Sequence, residues 1–442
     1  MYSMNRGFVY VMVACSLVLL SILTYTQVLS HHMVRLSHRP LETPVARGLL
    51  GSNHSTRFVN KTLNAVPIEV LDTMDMVHQR EIFNQTNATL VNKGTNPWKD
   101  PRRVSNLHQG LKVIVLARMR TGSTLLGEIF NQNQQLMYLF EPLHATDSMV
   151  KMGLMTPNKM NVAMRGLLGK LAHCTFPTEF MHDMYKWSIG KAKSTTLHGI
   201  CKATSGCAEV VPGMLVQSCR QHKGNMAMKL IRADLDTVQP LITNDKLNVK
   251  IIHLIRDPRG TANSRKGYYC PRKKIPAKDC TLDNLKLLEH DPDNFKFNTV
   301  HKLCRWMRKT VPLALQRPEW LRGRYKLIRY EDLAADPFRL TQDIYDFLGL
   351  PMQPEVTQWV KTNTQENTSK STNTFSTKKN SSEASMHWRS LLSFKEVKDI
   401  ERKCGDVMEM LGYLPITSED ELTNYNVPVT LPLNIGTDIS FV

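Results

Sequence analysis

The sequence predicts an α/β fold around a central parallel sheet, preceded by a transmembrane helix and a stem. Three observations predict it. From residue 110 onward, short apolar runs alternate with helix-like segments, as they do in α/β domains. Those runs are almost continuously apolar, the pattern of parallel strands buried on both faces. Ahead of them, residues 7–30 carry no charge and are followed by a long stretch without periodicity.

The elements follow in order. Residues 1–6 read as a cytoplasmic tail and 7–30 as the membrane span. Phe8 to Leu23 is nearly all apolar, close to the roughly 20 residues that cross a bilayer as a helix. No small-x-small cleavage site follows, so the span reads as an uncleaved signal anchor. Arg6 lies on one side and Arg35 and Arg39 on the other, so charge alone leaves the orientation open. Residues 31–108 read as a stem and 109–442 as the functional domain. N-x-S/T sequons at Asn53, Asn60, Asn84, Asn87, Asn367 and Asn380 point to a lumenal location for both. So do Cys174, Cys201, Cys207, Cys219, Cys270, Cys280, Cys304 and Cys404, an even set compatible with up to four disulfides. Their connectivity is open. The absence of a C-x-x-C pair argues against zinc, and no metal ligand set is expected.

Within the domain the expected strands are 112–117, 136–141, 226–231, 249–255 and 325–330. Residues 336–350 read as a helix, with Asp336 as cap, Pro337 in the first turn and Gly349 near the end. Between about 145 and 220 the pattern weakens, and this stretch reads as insertions that shape a substrate surface. Its Met-rich part, 149–164, reads as packing, and the Ser, Thr and Asn-rich segment 362–385 as a long loop. The 442-residue chain is 42% hydrophobic, and 57 Lys and Arg against 39 Asp and Glu leave a net charge of +18. That excess suits a polyanionic partner, whether nucleic acid, anionic lipid or acidic polysaccharide. The lumenal features disfavour nucleic acid.

Two strand ends carry chemistry. "VIVLARMRTGSTLLGEIF" (113–130) is a strand, a Gly-containing turn and a helix start, which together aim backbone N–H groups at one point. Arg120 adds a charged fork, and Thr121, Ser123 and Thr124 add hydroxyls around Gly122. Gly122 and Gly127 have the spacing of a nucleotide triphosphate loop, but Glu128 stands where that loop needs lysine. In "IIHLIRDPRGTANSR" (251–265) a second strand ends at Arg256, Asp257 and Pro258 open a helix, and Ser264 lies about two turns along it. Two anion sites at the carboxyl edge of one parallel sheet suggest one nucleotide with two anionic groups.

With these motifs on hand, the chain resembles the Golgi carbohydrate 6-O-sulfotransferases, closest to the branch acting on chondroitin and on keratan sulfate galactose. "RTGSTLLGEIFNQ" with "YLFEP", "LIRDPRGTANSR", "WLRGRYKLIRYEDLAADP", "IYDFLGLP", "TKKNSSEASMHWR" and "LGY" carry the likeness over about 110–415. The resemblance implies a P-loop-like three-layer sulfotransferase fold. It also implies 3′-phosphoadenosine-5′-phosphosulfate (PAPS) as sulfate donor, with no metal required. Arg120, Thr121, Gly122, Ser123, Thr124, Leu125 and Leu126 would hold the 5′-phosphosulfate. Arg256, Asp257, Pro258, Arg259, Gly260, Thr261, Ala262, Asn263 and Ser264 would hold the 3′-phosphate. The missing lysine then fits, because there is no triphosphate to thread.

The implied acceptor is a glycosaminoglycan or glycoprotein glycan, met by a single-pass type II protein of the Golgi membrane, and a homodimer is allowed. Arg120 would stabilise charge on the leaving phosphate. Glu141, at the end of the second strand, is the expected general base, with His144 as the second candidate; the alternative for Glu141 is that it pairs with a nearby arginine and only orders the site. Lys229 either faces the nucleotide or is an exposed strand-end lysine. Tyr330, Glu331 and Asp332 lie near the pocket or order the fold, and Trp306 and Trp388 read as core or interface rather than as adenine platforms. Which of galactose, N-acetylgalactosamine and N-acetylglucosamine is the acceptor stays open. A P-loop kinase is disfavoured by Glu128, and a non-catalytic glycan-binding protein by the intact donor motifs.

Overall fold

The computed structural model describes residues 110–204, 206–272, 274–276, 279–282, 300–364 and 381–433. The expected tail, membrane span and stem, and all six sequons, lie outside the described residues. Among the described residues no helix is long and apolar enough to cross a membrane.

Each expected strand forms within a residue or two of its expected ends: β1 Lys112–Leu116, β2 Met137–Phe140, β3 Met226–Leu230, β4 Val249–Ile255 and β5 Tyr325–Arg329. They make one sheet in the order β2-β3-β1-β4-β5, parallel throughout. Every residue of β1, β2 and β3 is buried, which explains why the runs are continuously apolar.

Helices follow β1 and β2 as α1 Ser123–Asn131, α2 His144–Lys151, α3 Met160–Ala172, α4 Thr178–Lys186, α5 Ser188–Ala192, α6 Thr195–Ala203 and α7 Pro212–Gln221. Beyond β3 and β4 come α8 Leu235–Thr243, α9 Pro258–Arg272 and α10 Val300–Leu315. After β5 come α11 Tyr330–Ala335, α12 Pro337–Leu348, α13 Pro354–Thr364, α14 Ser381–Met386, α15 Trp388–Leu391, α16 Phe394–Met410 and α17 Glu419–Thr423. Alternate strand residues face opposite sides. Ile114, Leu116, Met228 and Ile251 join a core with Leu168 of α3, Val238 of α8, Met307 of α10 and Val407 of α16. Val113, Val115, Ala227 and Ile252 join another with Leu126 and Phe130 of α1, Ile344 of α12 and Val360 of α13. The result is three layers, helix on sheet on helix.

Local chemistry sets the helix ends. Asp336 accepts from the Arg339 N–H, and Gly349 ends α12 at φ 70°, as read from the sequence. Capping boxes start α8 at Asp234 and α16 at Ser393. The stretch between 145 and 220 is an ordered helical layer, with Met155, Met160 and Met164 buried in it. Of the long loop expected over 362–385, the residues up to Thr364 belong to α13 and those from Ser381 to Met386 to α14, and residues 365–380 lie outside the described residues. The eight cysteines among the described residues pair, as Cys174–Cys219, Cys201–Cys207, Cys270–Cys280 and Cys304–Cys404. The last joins α10 to α16, and Trp306 and Trp388 are core residues, 4% and 1% exposed.

From β1 the chain crosses to β2 on one side of the sheet, and from β4 it crosses to β5 on the other. Ligands in open parallel sheets settle outside the carboxyl ends at such a reversal. The two motif-bearing turns follow β1 and β4, which are neighbours.

Candidate active site

The β1 turn is shaped for an anion. Gly122 has φ 90°, and a Cβ there would lie 2.2 Å from Cδ2 of Tyr330, so only glycine fits. It supplies no side-chain cap to α1, whose first N–H groups have no intrahelical carbonyl to bond. Arg120, also at positive φ (68°), swings its side chain towards α9. Its Nε donates to Ser264 Oγ at 3.0 Å, which ties the two expected motifs together.

Two more arginines reinforce that junction. Arg256 Nη1 donates to the Arg120 carbonyl at 3.2 Å, and its guanidinium lies 4.4 Å from the Tyr330 ring centre. Arg265, 2% exposed, donates through Nε and Nη2 to the Met119 carbonyl at 3.2 and 3.0 Å. Burial, with the nearby Arg256 and Arg272, weakens the hold of Arg120 on its proton. Burial, with Arg118 and Arg120, pushes Arg265 down to about 10. Several guanidiniums crowd a partly buried edge, and two buried polar atoms there, Arg256 Nε and Thr261 Oγ1, have no hydrogen-bond partner. An anionic ligand answers both conditions.

The remaining residues expected at the donor divide. Ser123 and Thr124 lie at the α1 start beside Gly122. Leu125, Leu126 and Ala262 are core residues, and Thr121 turns its hydroxyl to the Arg118 carbonyl, so these four offer backbone rather than side chain. Pro258 opens α9. Asp257 caps the Arg259 N–H at 2.8 Å, and Asn263 is half-buried on the same helix. Gly260 lets Arg256 and Trp388 approach, with a Cβ there 3.1 Å from Arg256 Nε. Arg259, also expected at the 3′-phosphate, has its side chain engaged within the fold. Its guanidinium is fully buried and bonded to Asp257, Glu401 and the Leu414 carbonyl, because α9 turns that face towards α16.

The neighbouring strand ends carry a second cluster. Glu141, at φ 49°, directly follows β2, and Lys229 Nζ of β3 lies 2.6 Å from its Oε1. Arg232, just past β3, donates to Glu141 Oε2 at 2.8 Å and also pairs with Asp147 of α2. Burial alone would raise Glu141, but Lys229 and Arg232 outweigh it and hold the carboxyl at about 2. Lys229 is lowered, since burial outweighs Glu141. The exposed-lysine reading fails here, because Lys229 is 1% exposed. Beside this cluster, His144 Nδ1 meets Asp183 of α4 at 2.9 Å.

Glu128 has a structural task. Its carboxylate accepts from Asn131 Nδ2 at 2.9 Å and pairs with Lys193 at 3.4 Å. Thr195 N–H donates to Asn131 Oδ1, and Ser194 Oγ donates to the Tyr138 carbonyl. The position of the absent lysine thus fastens the α5–α6 segment onto α1 and β2. Sequence reasoning missed Arg232, Arg265, Asp147 and Asp183. An arginine at or just past the ends of β3, β4 and β5 alike (Arg232, Arg256, Arg329) was the available pointer to the first.

Fold and site together present two turns suited to anions, joined by the Arg120–Ser264 bond at the carboxyl edge of one parallel sheet. A family model described as "Sulfotransferase domain" matches residues 111–412. Carbohydrate sulfotransferase 3 of Mus musculus is 31% identical over 343 residues, covering 71% of this chain and 70% of that protein. Carbohydrate sulfotransferase 1 of Rattus norvegicus is 28% identical over 354 residues, covering 72% and 83%. The chain belongs to the sulfotransferase family, among the carbohydrate sulfotransferases. Solved structures with partial similarity include a sulfotransferase domain from the Synechococcus PCC 7002 olefin synthase (TM-score 0.36, 17% identity, 68% of this chain and 94% of that one). Another is mouse sulfotransferase SULT7A1 complexed with PAP (TM-score 0.37, 10% identity, 74% and 94%).

Proposed function

We propose that the chain transfers the sulfuryl group of PAPS to the C6 hydroxyl of a glycan sugar, N-acetylgalactosamine in chondroitin or galactose in keratan sulfate. The observation that carries this reading is the Arg120–Ser264 bond, which makes two anion-binding turns into one two-ended cradle. Arg120, Gly122 and the start of α1 hold the 5′ end, and Arg256, Thr261 and Ser264 the 3′ end. PAPS brings the activated sulfate. The protein's contribution is alignment and fixed positive charge, with Arg120 neutralising charge on the leaving phosphate. Lys229, paired with Glu141 at 2.6 Å, adds a buried cation beside that carboxylate. Glu141 belongs to the proposed catalytic set, where it orients Lys229 and Arg232; doubly paired, it is a weak proton acceptor.

A polyanionic acceptor fits the charge. Between residues 145 and 223 ten Lys and Arg stand against four Asp and Glu, and of these four, Asp147 and Asp183 are engaged by Arg232 and His144. The apolar span and the sequons support a type II protein of the Golgi membrane. Incubating the full-length chain with radiolabelled PAPS and desulfated chondroitin, keratan and heparan chains tests the proposal. Label at C6 of chondroitin or keratan disaccharides is expected. Label on N-acetylglucosamine would reassign the acceptor, and no label on any glycan would refute the reading.

A further inference from the structure

Sulfate transfer needs a group to take the hydroxyl proton, and His144 is built for it. His144 opens α2 three residues past Glu141, and its backbone N–H donates to the Glu141 carbonyl at 2.8 Å. The ring is fixed on two sides. The Trp187 ring stacks on it, with centroids 4.0 Å apart and planes 11° from parallel. Nδ1 lies 2.9 and 3.1 Å from the two oxygens of Asp183. Ser148 Oγ, one turn along α2, donates to that carboxylate at 2.6 Å.

A ring nitrogen facing a carboxylate carries the hydrogen, so the neutral imidazole keeps its lone pair on Nε2. The His144 side chain retains 21% of its exposure against 9% for Asp183. The dyad is therefore buried at its acid end and open at its basic end. Glu141 lacks this combination, since both of its oxygens face cations.

We infer that His144 Nε2 accepts the proton of the sugar hydroxyl, with Asp183 as the positioning residue that fixes the tautomer and the ring. The inference rests on the sulfate transfer proposed above. In the step, the hydroxyl O–H bond breaks and its proton passes to Nε2 while the oxygen bonds to sulfur. The bond from sulfur to the donor phosphate oxygen breaks, and its electron pair leaves with the nucleotide. Asp183 balances the imidazolium, which then releases its proton to water.

The test compares the full-length chain with His144→Ala, His144→Gln, Asp183→Asn and Asp183→Glu. Both His144 variants are expected to lose kcat by about 100- to 1,000-fold. The donor KM and the affinity for 3′-phosphoadenosine-5′-phosphate, read by calorimetry, should stay unchanged. Added imidazole should restore part of the rate to His144→Ala and none to Glu141→Gln. Asp183→Asn should lower kcat by about tenfold or more, and Asp183→Glu should recover part of it. Near-normal kcat in either His144 variant overturns the inference. So does intact nucleotide affinity without imidazole rescue, and so does lost nucleotide affinity in both His144 variants, which marks a structural role. Failure of the transfer proposal itself is distinct, because the unaltered chain would then label no glycan.

Discussion

Replacing Glu331 by Gln should stabilise the protein at alkaline pH and hardly affect it in acid. Glu331 Oε1 accepts the Asp257 N–H at 3.1 Å, and Oε2 accepts the Tyr413 hydroxyl at 2.8 Å. Burial, and then the Asp257 carboxylate, raise its carboxyl from 4.5 to about 7. The folded chain therefore holds this proton more tightly than the unfolded chain does. Stability contributed here is fully present below about pH 4.5 and falls as pH rises towards 7. The shift corresponds to about 3 kcal/mol, which partial solvent access of the side chain trims to about 2 kcal/mol. Gln keeps an acceptor for Asp257 and removes the charge. Equilibrium urea unfolding at about pH 4.5 and about pH 8 would measure it. A gain of about 2 kcal/mol confined to the higher pH is expected. An equal effect at both pH values would refute the proton linkage.

Three further outcomes follow from the packing. Gly122→Ala should lower affinity for 3′-phosphoadenosine-5′-phosphate by tenfold or more and destabilise by roughly 2 kcal/mol, because φ 90° and the Tyr330 ring both oppose a Cβ; calorimetry and thermal melts read the two effects. Replacing Cys304 and Cys404 by Ser removes a cross-link spanning 100 residues. The loss should be about 4 kcal/mol, or a Tm lowered by roughly 10 °C. Glu128→Lys, which restores the lysine of an ATP-binding loop, should not create ATPase activity. It should instead set two cations against each other at Lys193 and cost about 3 kcal/mol, visible as a lower urea midpoint.

Much of the frame was legible because it depends on short-range pattern. Continuous apolar runs gave all five strands, and Asp336, Pro337 and Gly349 gave both ends of α12. The donor motifs were readable because a strand, a turn and a helix start lie together in sequence. What stayed hidden depends on which strands become neighbours. Lys229 looks like a surface lysine until β3 is set beside β2, which brings Glu141, 88 residues away, against it. Asp183 is unremarkable in sequence because its partner His144 sits 39 residues earlier, on a different helix. The partners of Arg259 were hidden because a motif marks a helix but not which of its faces turns inward. Cysteine pairing was closed to sequence for the same reason, since the longest bridge joins α10 to α16.

The strand order gives the enzyme two halves that can change at different rates. The proposed donor cradle lies at the ends of β1 and β4, adjacent in the sheet, and is tied together by Arg120, Arg256, Ser264 and Arg265. The long helical stretch between β2 and β3 contributes none of those four residues. Its helices can lengthen, shorten or alter their charges while the donor is read unchanged. Under the proposed function, a duplicated copy of such a gene would need new contacts on that flank alone to take up a different sugar.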